Sequence, residues 1–174
     1  MMFSERAWHP LEEGAAVRDS TRVILSGTPA SGYVFEVLLR KRQTSAEVGL
    51  SFEAGGTAWE VPVGDNLLPA REGWTRLRIE ASPSGCRIQL GSSLLLCRSA
   101  DALSREAVAG RSRGVGLKAW GGNLETRAPR WRPRDFSGEA DCSGLPVIRP
   151  SPWPRRARAR ERALRSSPGP ARYP

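Results

Sequence analysis

Apolar and polar side chains alternate through the middle of the chain. Tyr33, Phe35, Val37 and Leu39 fall on one face, with Glu36 and Arg40 on the other. Val48, Leu50 and Phe52 alternate with Glu47, Ser51 and Glu53. A period of two with one polar side predicts strands that bury a single face. The short link Gln43-Thr44-Ser45 predicts that these two strands form a hairpin, with Phe35, Val37 and Leu39 opposite Phe52, Leu50 and Val48. Trp59, Val61 and Val63 predict another strand, in which Pro62 favours an edge or an outward amide. Thr75, Leu77, Ile79 and Ala81 then alternate with Arg76, Arg78 and Glu80, and Pro83-Ser84-Gly85 makes the next turn.

Two glycine-containing links predict further hairpins. Gly91-Ser92 joins residues 86–90 to 93–98, which places Leu90 opposite Ser93, Ile88 opposite Leu95 and Cys86 opposite Cys97. Gly121-Gly122 joins residues 114–120 to 123–131, since a glycine pair tolerates the positive φ angles of tight hairpin turns. That register sets Lys118 against Glu125 on the polar face, and Leu117 and Ala119 against Thr126 and Leu124 on the other. Residues 99–109 read as one short helix or helical turn, stopped at Gly110. About seven to nine strands with frequent turns predict an all-β chain, a β-sandwich or barrel. The expected organisation is an N-terminal extension over 1–14, a β-sandwich domain over 15–136 and a tail over 137–174.

Charge separates the tail from the body. The net charge is +9, yet from Leu145 onward there are eight arginines and a single acid, Glu161. The same stretch holds seven of the fourteen prolines and few large apolar residues. Such a segment buries too little surface to offset its ordering entropy, so a disordered Pro/Arg-rich tail is expected. A helix over residues 155–165 would be marginal on its own. Arginine outnumbers lysine throughout, including on surface strands, which fits GC-rich coding as readily as phosphate binding. No apolar run is long enough for a membrane span, and residues 1–6 lack a secretory pattern, so the default expectation is cytoplasmic.

Three segments carry a family resemblance. They are Glu72-Gly73-Trp74-Thr75-Arg76-Leu77-Arg78-Ile79-Glu80, the stretch from Cys86 to Leu96 with Gly91-Ser92 at its centre, and Gly114-Val115-Gly116-Leu117-Lys118-Ala119-Trp120-Gly121-Gly122. Together with residues 34–42 and Glu47-Val48-Gly49-Leu50-Ser51-Phe52, they resemble the strands of concanavalin A-like, laminin G-like jelly-roll modules. These modules include the 3-keto-disaccharide hydrolase group and accessory domains of bacterial carbohydrate-active proteins. The resemblance covers roughly residues 32–131 and implies an antiparallel β-sandwich of the jelly-roll kind, lectin-like, with a carbohydrate ligand. No block matches a catalytic motif of the hydrolase group.

The residues with chemical potential are few. His9 is the only histidine, which disfavours histidine-based metal sites and catalysis. Cys86, Cys97 and Cys142 lack zinc-site spacing and are expected as three free thiols. Glu36, Glu47, Glu53 and Glu60 alternate outward, as paired carboxylates for glycoside cleavage would, and as any solvated sheet face does. The six tryptophans offer flat faces for sugar C–H stacking or cover the sandwich edge. Trp120, on the polar parity of its strand, would form a ligand platform with Asn123; Trp59, Asp65 and Asn66 complete the candidate binding set. Asp65-Asn66 alone falls far short of the oxygens a calcium ion needs, so no metal or cofactor is expected. The expected function is a non-catalytic binding or accessory module with carbohydrate as ligand. The alternatives are a nucleic-acid or acidic partner bound through the tail, and a glycoside hydrolase of the 3-keto-disaccharide type. The oligomeric state stays open.

Overall fold

The computed structural model describes residues 8–11, 16–26, 28, 32–64, 67–105, 108–109 and 114–134. The tail over 137–174, Cys142, Asp65 and Asn66 lie outside the described residues. The strands are β1 (His9–Pro10), β2 (Ala16–Leu25), β3 (Tyr33–Lys41), β4 (Glu47–Ala54), β5 (Thr57–Val63), β6 (Thr75–Ser82), β7 (Gly85–Leu90), β8 (Ser93–Ser99), β9 (Val108–Ala109) and β10 (Val115–Pro133). The expected short helix is a 3-10 helix, Ala100–Arg105. Every pairing is antiparallel, in the order β8-β7-β6-β3-β10-β4-β5-β9, with β1 and β2 also on β10. The chain is an antiparallel β-sandwich, as its alternation predicts.

The alternating positions reach the core as their parity requires. Phe35, Leu39, Leu50, Phe52, Leu77, Ile79 and Ile88 are fully buried in one cluster that draws on both halves of the sheet. Each such side chain stabilises the fold by about 1.5–3 kcal/mol relative to exposure.

The expected β3–β4 hairpin does not form. β3 lies between β6 and β10, and β4 between β10 and β5. β4 pairs with residues 116–120 of β10 and β3 with residues 124–133, so the ribbon 33–54 follows β10 in the opposite direction. At residues 42–46 this ribbon turns a corner from one layer to the other. Hydrophobic parity cannot separate a hairpin from such an arch, because both send Phe35, Val37, Leu39, Val48, Leu50 and Phe52 into one core.

The hairpin expected at Gly121-Gly122 is also replaced. β10 runs straight through the pair as one strand of 19 residues, and Lys118 pairs with Gly49 and Thr21 rather than Glu125. The glycines serve the corner instead. Gly121 has a φ of +73°, and a Cβ on Gly122 would sit 2.7 Å from both Ala46 Cβ and Gln43 Oε1. The corner is fastened by Lys41 Nζ donating to Ala46 O (3.2 Å) and Ser45 Oγ donating to Gly121 O (3.0 Å). At the far end of the ribbon, Tyr33 OH donates to Glu53 O at 2.9 Å and Gly55 N to Ser82 O at 3.1 Å. Both ends of the two-layer core are therefore pinned.

β10 also changes which parity points inward. Val115, Leu117 and Ala119 are buried before the corner, Leu124 and Thr126 after it. A bulge between Arg127 and Arg130, with Ala128 at a φ of 49°, then shifts the phase again. Trp131 turns to the core, and Arg130 and Arg132 take the outer face. The β7–β8 turn at Gly91-Ser92 keeps Leu90 opposite Ser93, but a bulge at Leu95 moves Cys86 opposite Arg98 and Cys97 opposite Arg87. Cys86 is a buried free thiol, and its burial pushes its pKa upward. Cys97 is disulfide-bonded, which overturns the expectation of three thiols.

The corner sets a stability test. Gly122→Ala should lose about 1–3 kcal/mol by denaturant unfolding, because the added methyl must displace Ala46. Gly73→Ala, where a Cβ meets open space, should change stability by less than about 0.5 kcal/mol. Equal midpoints for the two variants would remove the packing argument.

Candidate functional site

The outer face of β6, β7, β3 and the second half of β10 carries most of the ordered charge. Its floor is Glu36, 4% exposed. Register places Glu36 between Arg78 on β6 and Arg130 on β10. Arg78 Nη1 donates to Glu36 Oε1 and Arg130 Nη2 to Glu36 Oε2, both at 2.6 Å. Arg78 also donates to Glu80 through Nε at 2.7 Å, and Arg134 reaches Glu80 at 2.9 Å. The guanidinium planes are held from the side as well. Arg130 and Arg132 lie over the Trp8 ring at 4.4 and 5.0 Å, and Arg40 lies over Trp74 at 4.3 Å while donating to Glu125.

These contacts set the protonation states. Burial on its own would raise the Glu36 carboxyl, but hydrogen bonds and charge from Arg130 and Arg78 outweigh it and hold the pKa below the ordinary range. Arg78 loses from burial and gains more from Glu80 and Glu36, so its pKa is raised. The Arg40 hydrogen bond similarly lowers Glu125.

Beside this network, an open cleft of about 540 Å³ lies over β6 and β7. Arg76, Arg78, Glu80, Arg87, Gln89 and Gly91 line it. The β6–β7 pairing sets Arg78 beside Gln89 and Glu80 beside Arg87, which makes two cross-strand rows of polar groups. The size is that of an ordinary small-ligand site, although the lining is polar. A second cavity, about 430 Å³, opens at the sandwich end between Thr28, Tyr33, Glu53, Gly55, Ser82 and Pro83. There Glu53 Oε2 accepts from Thr28 Oγ1 (3.1 Å) and from the Gly114 amide (2.8 Å), so the carboxylate braces loops.

The sequence candidates fall elsewhere. Trp120 is half-buried on the outer face of the other layer, opposite Glu47. Asn123 sits at the corner, where its backbone amide donates to Gln43 Oε1 at 3.1 Å. Trp59 packs against the core, and its indole N–H donates to Ala54 O at 3.1 Å. None of the three lines either cavity. The outward carboxylates behave as a charged sheet face: Glu36 pairs with Arg78 and Arg130, and Glu60 with Lys118. Among the described residues no group of three or more His, Cys, Asp or Glu side chains is placed to hold a metal ion. No helix of the described residues is long and apolar enough to cross a membrane.

Sequence reasoning passed over Arg76, Arg78, Glu80, Arg87 and Gln89 as a site, although the signal was present. Alternation marked Arg76, Arg78 and Glu80 as outward, and the turn at Pro83-Ser84-Gly85 brings Arg87 and Gln89 beside them.

A lowered carboxyl pKa stabilises the fold above the ordinary carboxylate value, near 4.3 for glutamate, and that stabilisation is lost as pH falls through the folded value. Glu36→Gln should therefore be less stable than wild type at pH 7, with the gap narrowing below about pH 4. Urea unfolding across pH measures this, and a gap that does not depend on pH would refute it.

No protein-family model matches the chain, and no curated relative does. Among solved structures, the chain is similar to a Parabacteroides distasonis protein assigned as a glycosyl hydrolase. The TM-score is 0.49 at 6% identity, over 75% of this chain and 88% of that one. It is also similar to the carbohydrate-binding module CBM66 of Bacillus subtilis, with a TM-score of 0.42 at 12% identity, over 72% of this chain and 95% of that one.

Proposed function

We propose that the chain is a non-catalytic saccharide-binding module and that the β6–β7 cleft holds the ligand. The supporting observation is the cleft's lining: guanidinium, carboxylate and amide groups stand in register on neighbouring strands. Sugars present fixed arrays of hydroxyls, and planar groups that donate or accept two hydrogen bonds at once suit adjacent hydroxyls. The strands fix the spacing of these groups, and ion pairs to Glu36 and Glu80 order Arg78 before a ligand arrives. Trp74 has the same strand parity as Arg76 and Arg78, and its ring carries the Arg40 guanidinium at 4.3 Å.

Two carboxylates of this face, Glu36 and Glu125, are poorly suited to act as the general acid of hydrolysis. Glycoside cleavage uses one carboxyl kept protonated near neutral pH as general acid. Glu36 and Glu125 are shifted the opposite way by their arginines. Trp120 on the other layer, with Asn123 at the corner, is a second candidate platform, and the same experiment separates the two.

A glycan array probed with the full chain, Gln89→Ala, Arg76→Ala and Trp120→Ala provides the test. Each cleft variant should weaken the bound glycan about tenfold, the effect of about one lost hydrogen bond to a charged or bidentate group. Trp120→Ala should bind as wild type does. Loss confined to Trp120→Ala would move the site to the other layer, and a full chain that binds no glycan would end the saccharide reading.

A further inference from the structure

The charges in the cleft do not balance. Of its lining residues, Arg76, Arg78 and Arg87 are cationic and Glu80 alone is anionic. Arg78 is neutralised by Glu36 and Glu80, and Glu80 is shared with Arg134. Arg76 is exposed, and its side chain has no hydrogen bond or ion pair to the described residues. Arg87 Nε is buried without a hydrogen-bond partner. A buried donor left unpaired is costly, and an oxyanion bound in the cleft would satisfy it.

The two unneutralised arginines stand at opposite ends. Arg87 pairs with Glu80, and Gly91 donates its amide to Arg76 O, so Arg76 and Arg87 are separated by four positions along β6. At about 3.3 Å per residue that is about 13 Å. Between them lie the neutral row of Gln89 and the saturated Arg78. We propose that the cleft selects an acidic oligosaccharide, one whose anionic substituents reach Arg76 and Arg87 while its hydroxyls meet Gln89. The inference rests on the saccharide reading above and adds the charge class of the ligand. A carboxylate or a sulfate ester supplies the same oxyanion, and either matches the two parallel N–H groups of a guanidinium.

Isothermal titration of the full chain separates the cases, with three probes: trigalacturonate, a sulfated galactan trisaccharide of equal charge, and neutral galactotriose. At least one acidic probe should bind about tenfold or more tighter than galactotriose, and which one identifies the substituent. Arg76→Gln and Arg87→Gln should each weaken that acidic probe about tenfold more than they weaken galactotriose. All variants carry the same arginine-rich tail, so any attraction it contributes is common to them. Neither arginine forms an ion pair among the described residues, and unchanged thermal midpoints verify the fold of each variant. Equal affinity for acidic and neutral probes would overturn the charge selection and leave the saccharide module standing. Acidic binding that survives both substitutions would overturn it too, by placing the anion outside the cleft.

Discussion

One strand joins both layers, and the rest of the sandwich is arranged around that constraint. β10 pairs with β4 in its first half and β3 in its second, with β2 and then β1 along its other edge. A strand that serves two layers must bend where they meet and must offer the core side chains on both sides of the bend. Gly121-Gly122 meets the first demand by letting the β3–β4 corner approach closely. The change of inward parity from Ala119 to Leu124 meets the second. The second phase change, at Ala128, turns Arg130 outward to Glu36. The charged face and the apolar core are thus set by the same strand.

The outer face shows why a buried carboxylate persists there. Glu36 would be expensive to bury alone, and two guanidiniums delivered by neighbouring strands offset that cost. Once paired, the three groups form a flat, rigid floor, and Arg78 carries the order on to Glu80 at the cleft. Binding groups placed on strands in this way keep their geometry better than groups on loops.

The sequence makes some levels of this structure legible and hides others, for physical reasons. Alternation at Phe35–Leu39, Val48–Phe52 and Leu77–Ala81 reports which side of a strand is buried, and the inward positions of all three are in the core. It does not report the neighbour, so an arch and a hairpin at Gln43-Thr44-Ser45 read alike. A glycine pair signals backbone freedom, and a tight turn and a crowded corner both use it. Bulges are harder still: one inserted residue at Ala128 or Leu95 reverses or offsets every later position without altering composition. Cys97 illustrates this, since a one-residue slip separates it from Cys86. Of the site, the alternating Arg76, Arg78 and Glu80 were visible as a polar face. Their imbalance of charge was not, because it depends on which arginines Glu36 and Glu80 have already taken.

The placement of β10 has a kinetic corollary. Its partners lie 65 to 122 positions earlier in the chain, as with Lys118 and Thr21 or Trp131 and Phe35. Contacts that distant form slowly, and none can form until the ribosome delivers β10. Until then β2, β3 and β4 each expose a hydrogen-bonding edge to solvent, open to pairing with another nascent copy. The vulnerable moment in the life of this protein is therefore the interval just before β10 emerges.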